Sequence, residues 1–143
     1  MGYGEGDIMK ELVIDAEVDN LDAVLEFIDG FLEEVSCPSK VMIQLNVAVE
    51  EIFVNIASYA YTPGKGKAWI RISHSDDPSA VTLVFEDEGI MFDPLAKEDP
   101  DTTLSAEERK IGGLGIYMVK KSMDDVRYEY RDNRNILAIY KKL

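Results

Sequence analysis

Apolar residues recur every three or four positions in two segments of the first half of the chain, which predicts two amphipathic helices. The first helix covers residues 21–35, and Asp19 or Asn20 precedes it as a candidate N-cap. The second begins near Pro38, which suits a first helical turn, and ends at about residue 61. Its core-facing positions are all apolar: Met42, Leu45, Val49, Ile52, Phe53 and Ile56.

The other apolar runs are shorter and rich in β-branched and aromatic residues, which is typical of strands. We expect residues 1–9 to form a flexible tail and a third helix to run from residue 114 to about 123. Helices combined with hairpin-linked strands indicate an α+β fold, a two-layer sandwich with a mixed or antiparallel sheet and helices on one face. Five strands are predicted: 11–16, 67–75, 80–86, 126–130 and 136–140.

Composition narrows the possible partners. The 143 residues suffice for one domain, predicted at 10–143, with its own core. Fifteen Lys and Arg against 28 Asp and Glu give a formal charge of −13, which repels nucleic acids and anionic membranes and favours a protein partner.

Cys37 is the single cysteine, so no internal disulfide is possible, and a cytoplasmic protein is expected. We expect no membrane span, because no stretch approaches eighteen apolar residues.

Candidate chemistry lies in three short motifs. Glu51 and Asn55 are four residues apart on the second predicted helix, so they point the same way and can serve one metal-bound phosphate group. Asp87 follows a strand and can accept a hydrogen bond from an adenine amino group. Gly89 lacks a Cβ, which lets the backbone come close to a base.

The third motif is a glycine cluster, Gly112, Gly113 and Gly115, at the start of the third predicted helix. The free N–H groups of a first helical turn and the positive end of the helix dipole suit a phosphate. Each motif alone has an ordinary structural explanation: a solvated helix face, a turn or a helix cap. Their order and separations together favour an ATP site.

Through these motifs the chain resembles the GHKL, or Bergerat-fold, ATPases, and within them the short anti-sigma-factor serine kinases. The resemblance runs from about residue 10 to 143, through residues 48–61, 85–94 and 112–121. It implies ATP and Mg²⁺ as ligands, with Asn55 as the magnesium ligand and Glu51 as the general base.

Further roles are expected around the glycine cluster and the loop before it. Arg109 or Lys110 is expected to neutralise charge on the transferred phosphoryl group, and residues 94–112 to form a lid over the nucleotide. Met91 stands where many members carry a second glycine and is expected to cover the base, while Ala138 replaces a hydroxyl residue common on the last strand. Nucleotide contacts are expected from Asn55, Asp87, Gly89, Met91, Gly112, Gly113, Leu114 and Gly115.

The resemblance indicates a protein that phosphorylates a serine or threonine of a STAS-type anti-sigma-factor antagonist, sequesters a sigma factor and forms a homodimer. Two alternatives stay open: an ATP-gated binding module without phosphotransfer, and an acidic interaction domain that has lost ATP binding. Sensor histidine kinases share the motifs but need a phosphoacceptor histidine. His74 is the only histidine, and we expect it to be a surface side chain on a strand. Cross-strand and core packing is expected of Trp69, Tyr128, Tyr130 and Tyr140.

Overall fold

The computed structural model describes residues 8–96 and 113–143. It shows a five-stranded antiparallel sheet with helices packed against one face. The strand order is β1-β2-β3-β5-β4. The predicted α+β sandwich is therefore confirmed, and its sheet is antiparallel throughout. The elements are β1 Ile8–Asp15, α1 Leu21–Glu34, α2 Ser39–Asn55, β2 Lys67–Asp76, β3 Ser79–Asp87, α3 Gly113–Ser122, β4 Asp125–Arg131 and β5 Arg134–Lys142.

Shorter turns join some of these elements. Val18–Asn20 and Pro94–Ala96 are 3₁₀ turns, and Ile56–Ala60 is a π turn that continues α2. Single π turns inside or at the end of α-helices frequently occur at functional sites.

The core lies between the helices and one face of the sheet. Every second residue of the central strands is buried there, as the period of two requires. Fully buried aromatic and aliphatic side chains from helices and strands meet in one cluster, including Phe31, Leu45, Phe53, Ile70, Leu83, Phe85 and Ile139.

Two boundary predictions needed correction. β1 begins at Ile8, so Ile8 and Met9 of the predicted tail pair with β2 instead. Asn20 occupies the N-cap position of α1, but its side chain makes no cap hydrogen bond. Its Nδ2 instead donates to the Asp15 carbonyl at 2.9 Å, which ties the end of β1 to the start of the helix.

His74 is buried, with 8% of its surface exposed, so the prediction of a surface side chain was wrong. The physical reason is register, because His74 continues the inward-facing series of Ile70 and Ile72 on β2. Its Nε2 lies 3.1 Å from the Ser79 hydroxyl, which gives the buried ring a polar partner.

Charged residues form ion pairs on the face of the sheet that points away from the helices. Glu86, 12% exposed at its side chain, pairs with Arg71 and with Arg134, whose Nη1 lies 3.1 Å away. The Arg134 guanidinium also lies 4.2 Å from the Trp69 ring centroid, so Trp69 packs under a cation and not in the core. Burial tends to raise the pKa of Glu86, but the hydrogen bonds and charges of the two arginines outweigh it and lower that pKa.

The last hairpin turns in only two residues. Asp132 and Asn133 both have positive φ, 54° and 64°, which matches the two-residue turn that favours Asn and Asp. The predicted turn covered residues 132–135, whereas Arg134 and Asn135 belong to β5. This shift places Asn135 directly opposite Asp87 in the sheet.

One stretch, Ser39–Ala60, is long and apolar enough to cross a membrane by length and composition, with a mean hydropathy of 1.3. The absence of a membrane span therefore stays a prediction. Leu45, Val49 and Phe53 of this stretch are fully buried in the core, and core helices of soluble proteins pass the same test. The stretch is weak evidence for a membrane span.

Candidate functional site

A cavity of about 420 Å³ opens between the C-terminal part of α2, the end of β3 and the β4–β5 hairpin. Apolar side chains line most of it, among them Ile52, Phe85, Ile116 and Leu137. Polar groups lie among them at a few positions only: Asn55, Tyr59, Asp87, Tyr128 and Asn135. An apolar cavity with a few polar groups is typical of a small-molecule site.

Asp87 is the buried acid of this cavity, with 5% of its surface exposed. Its Oδ1 accepts hydrogen bonds from Gly89 N–H and from Asn135 Nδ2, both at 2.9 Å. Burial raises the pKa of Asp87, and these two hydrogen bonds partly oppose the rise. Within the described residues no hydrogen-bond donor contacts Oδ2, so this carboxylate oxygen can accept a further hydrogen bond. The adenine contact of Asp87 stays a prediction.

Gly89 is required by a close approach that the sequence did not predict. A Cβ added at Gly89 would lie 2.2 Å from the Ala60 carbonyl oxygen and 2.6 Å from its carbonyl carbon. The close approach is thus to the π turn after α2. Two hydrogen bonds brace the same loop, from Ile90 N–H to the Ala60 carbonyl at 3.0 Å and from Glu88 N–H to the Tyr61 hydroxyl at 2.7 Å.

Glu51 and Asn55 are joined as the helical spacing predicts. Asn55 Nδ2 donates to Glu51 Oε2 at 2.7 Å, and both side chains are half-buried. The first turn of α3 lies directly against this pair, since a Cβ added at Gly115 would fall 2.1–2.4 Å from the Glu51 carboxyl atoms. Gly115 therefore allows α3 to approach the carboxylate.

The donor set around Asn55 suits a magnesium ion that shares its ligands with a bound phosphate. The described part of the chain contains no cluster of three or more His, Cys, Asp or Glu side chains that could hold a metal by itself. Mg²⁺ is commonly bound through one or two protein oxygens together with substrate phosphates and water. The Asn55 amide oxygen beside the cavity, with Glu51 next to it, fits that mode.

α3 provides the expected helix N-terminus. It begins at Gly113 and has ten residues, and its first-turn N–H groups lack helical partners. Such a terminus favours an anion. Gly113 and Leu114 are described in their backbone only, whereas Arg109, Lys110, Gly112 and residues 97–112 of the predicted lid lie outside the described residues.

The two positions at which the sequence departs from the family pattern lie outside the cavity wall. Met91 is 60% exposed and does not line the cavity, whereas its neighbours Ile90 and Phe92 do. Ala138 lies between the inward-facing Leu137 and Ile139, so it belongs to the opposite face of the sheet. A hydroxyl at residue 138 would not face the cavity.

Asn135 and Tyr128 belong to none of the three sequence motifs, although both line the cavity. Tyr128 was expected to serve only in packing, yet its hydroxyl bonds to Asn135 Oδ1. A signal for Asn135 was present in the sequence, because it is the polar member of an inward-facing series that continues with Leu137 and Ile139.

Comparison with known proteins identifies the family. Residues 14–141 match the histidine kinase-like ATPase domain. The chain belongs to this family. The predicted GHKL recognition is thereby confirmed for nearly the whole chain, and the domain type implies that a nucleotide is used.

Two relatives add detail. The serine/threonine-protein kinase BtrW of Bordetella bronchiseptica is 30% identical over 95 residues, 66% of each chain. The structure of the RsbU and RsbW domains of Rv1364c from Mycobacterium tuberculosis aligns with a TM-score of 0.67 and 14% identity. The alignment covers 95% of this chain and 32% of that one, so this family member spans about a third of the mycobacterial chain and matches it in fold.

Proposed function

We propose that this protein is a cytoplasmic Mg-ATP-dependent serine/threonine kinase that phosphorylates a STAS-type antagonist and, as an anti-sigma factor, sequesters a sigma factor. The observation that carries the nucleotide part is the buried Asp87, whose Oδ2 is available at the end of an apolar cavity that also contains Asn55. The kinase part is supported by the similarity to the serine/threonine-protein kinase of Bordetella.

The base would lie among the apolar side chains, with its exocyclic amino group toward Asp87. Asp87 accepts but cannot donate once ionised, so it favours a base with an amino group over one with a carbonyl at that position. Phosphates would then extend toward Asn55 and the N-terminus of α3, where helical N–H groups accept negative charge. Arg109 or Lys110, Gly112 and Leu114 complete this end in the proposal.

Glu51 is the proposed general base. Its carboxylate is held by the Asn55 amide at 2.7 Å and by contact with Gly115, so it is positioned beside the phosphate end. From there it can take the proton of an attacking serine or threonine hydroxyl. Magnesium, when bound at Asn55, supplies neutralisation of phosphate charge.

Acidic charge supports the choice of a protein partner. The net charge of −13 disfavours nucleic acids and anionic membranes, and it also repels ATP unless a cation accompanies the nucleotide. A homodimer completes the proposal. The alternative is an ATP-binding module without phosphotransfer, which would use the same Asp87 cavity but not Glu51.

Phosphotransfer from labelled Mg-ATP to purified candidate antagonists separates these two functions. Glu51→Gln should retain nucleotide binding, because the amide keeps the shape, while phosphotransfer falls by roughly 10²–10⁴-fold, the usual contribution of a positioned base. Glu50→Gln is the matched control, since Glu50 is the exposed neighbour on the same helix. Equal rates for wild type and Glu51→Gln would rule out the general-base role, and ATP binding without any transfer would favour the module.

A further inference from the structure

Asn135 uses its whole hydrogen-bonding capacity inside the cavity wall. Its Nδ2 donates to Asp87 Oδ1 at 2.9 Å and to the Ile90 carbonyl at 2.8 Å. Its Oδ1 accepts from Phe92 N–H at 3.1 Å and from the Tyr128 hydroxyl. Asn135 is 7% exposed as a residue, so these four bonds are made away from water. A buried, fully satisfied polar network fixes the geometry of its members.

The four partners of Asn135 lie on three parts of the site. Asp87 is the end of β3, Ile90 and Phe92 belong to the loop that follows, and Tyr128 belongs to β4. Strand register brings Asn135 opposite Asp87 through the tight turn of the last hairpin. Asn135 therefore holds the Asp87 carboxyl group and the following loop in a single arrangement.

The amide also decides which carboxyl oxygen remains for a ligand. Asn135 Nδ2 and Gly89 N–H both occupy Asp87 Oδ1, which leaves Oδ2 available. Without the Asn135 donor, the carboxyl group could rotate and Oδ1 would lose one of its two bonds. The donor group of a ligand would then face a carboxyl oxygen of Asp87 whose orientation is not fixed.

We propose that Asn135 is a positioning residue that orients Asp87 toward an exocyclic amino group and thereby sets the preference for adenine over bases with a carbonyl at that position. This inference rests on the proposed nucleotide site and adds to it a specificity role for a residue outside the three motifs. Tyr128 acts on the same network through its bond to Asn135 Oδ1.

Calorimetry with ATP and with inosine triphosphate tests the role, because inosine carries a carbonyl where adenine carries the amino group. Asn135→Ala should weaken ATP binding by about 10-fold or more, the size expected for a hydrogen bond to a charged group. Binding of inosine triphosphate should change little, so the preference for ATP shrinks. Asn46→Ala is the matched control, since Asn46 bridges to Asp29 and Met42 away from the cavity.

If Asn135 had a structural role alone, Asn135→Ala would weaken the binding of ATP and of inosine triphosphate by the same factor, and that result would overturn the inference. An unchanged preference for ATP in Asn135→Ala would overturn it as well. If Asn135→Ala does not fold, Tyr128→Phe removes only the hydroxyl bond to Asn135; a smaller loss of preference supports the role, and an unchanged preference refutes it. Failure of the proposed nucleotide site would look different, because wild type would then bind neither triphosphate.

Discussion

Two glycine-to-alanine substitutions are expected to have opposite effects on stability. At Gly89 the added methyl carbon would lie 2.2 Å from the Ala60 oxygen and 2.6 Å from its carbonyl carbon, both backbone atoms. Relief requires the loop and the π turn to separate by about 1 Å, and overpacking of this kind typically costs about 1–3 kcal/mol. At Gly30, an exposed position within α1, a Cβ meets no atom within 4 Å.

Gly30→Ala should therefore stabilise the protein by about 1 kcal/mol through helix propensity alone. For a chain of this length, one kcal/mol corresponds to a change in Tm of roughly 4 °C. We expect Gly89→Ala to lower Tm by roughly 4–12 °C and Gly30→Ala to raise it by roughly 4 °C. Urea unfolding with unchanged m-values gives the free energies directly. Equal stability of Gly89→Ala and wild type would show that the loop does not pack against Ala60 in this way.

Three further outcomes are expected. Asp87→Asn should raise the unfolding free energy of the nucleotide-free protein at pH 7, because burial raises the pKa of Asp87 and its ionised form destabilises the fold above that pKa. The same variant should bind ATP about 10- to 150-fold more weakly by calorimetry. Unchanged ATP affinity would contradict the contact between Asp87 and the base. Asn55→Ala should weaken ATP binding only when Mg²⁺ is present, whereas equal weakening in EDTA would exclude a metal role. The lowered pKa of Glu86 contributes stability that is fully present above its usual pKa of 4.5 and is lost as the pH falls through the folded-state pKa. Glu86→Gln should remove this part of the acid dependence of the unfolding free energy, measured by urea titrations at several pH values. Identical pH profiles of wild type and Glu86→Gln would contradict this prediction.

Strongly periodic segments were predictable from the sequence. The apolar patterns of α1 and α2 and both hairpins were found within a few residues, because one buried face dictates their spacing. The Glu51–Asn55 contact also followed from helical geometry, since it lies within one element.

Contacts that join distant elements could not be derived in the same way. The approach of Gly89 to Ala60 depends on the π turn, which no local sequence pattern predicted. Asn135 was assigned to a turn because Asp132 and Asn133 already favour one, and the difference of two residues decides whether its side chain meets Asp87. Met91 was predicted to cover the base by comparison with a family glycine, but the course of its loop depends on the hydrogen bonds between Asn135 on β5 and the backbone of Ile90 and Phe92.

Calorimetric titration of the wild-type protein with Mg-ATP tests the central claim most directly. The cavity at Asp87 predicts saturable binding with one nucleotide per chain, weaker binding of inosine triphosphate, and competition between ADP and ATP for the same site. Absence of saturable heat at millimolar Mg-ATP from a folded protein would contradict the nucleotide site and the kinase proposal that depends on it.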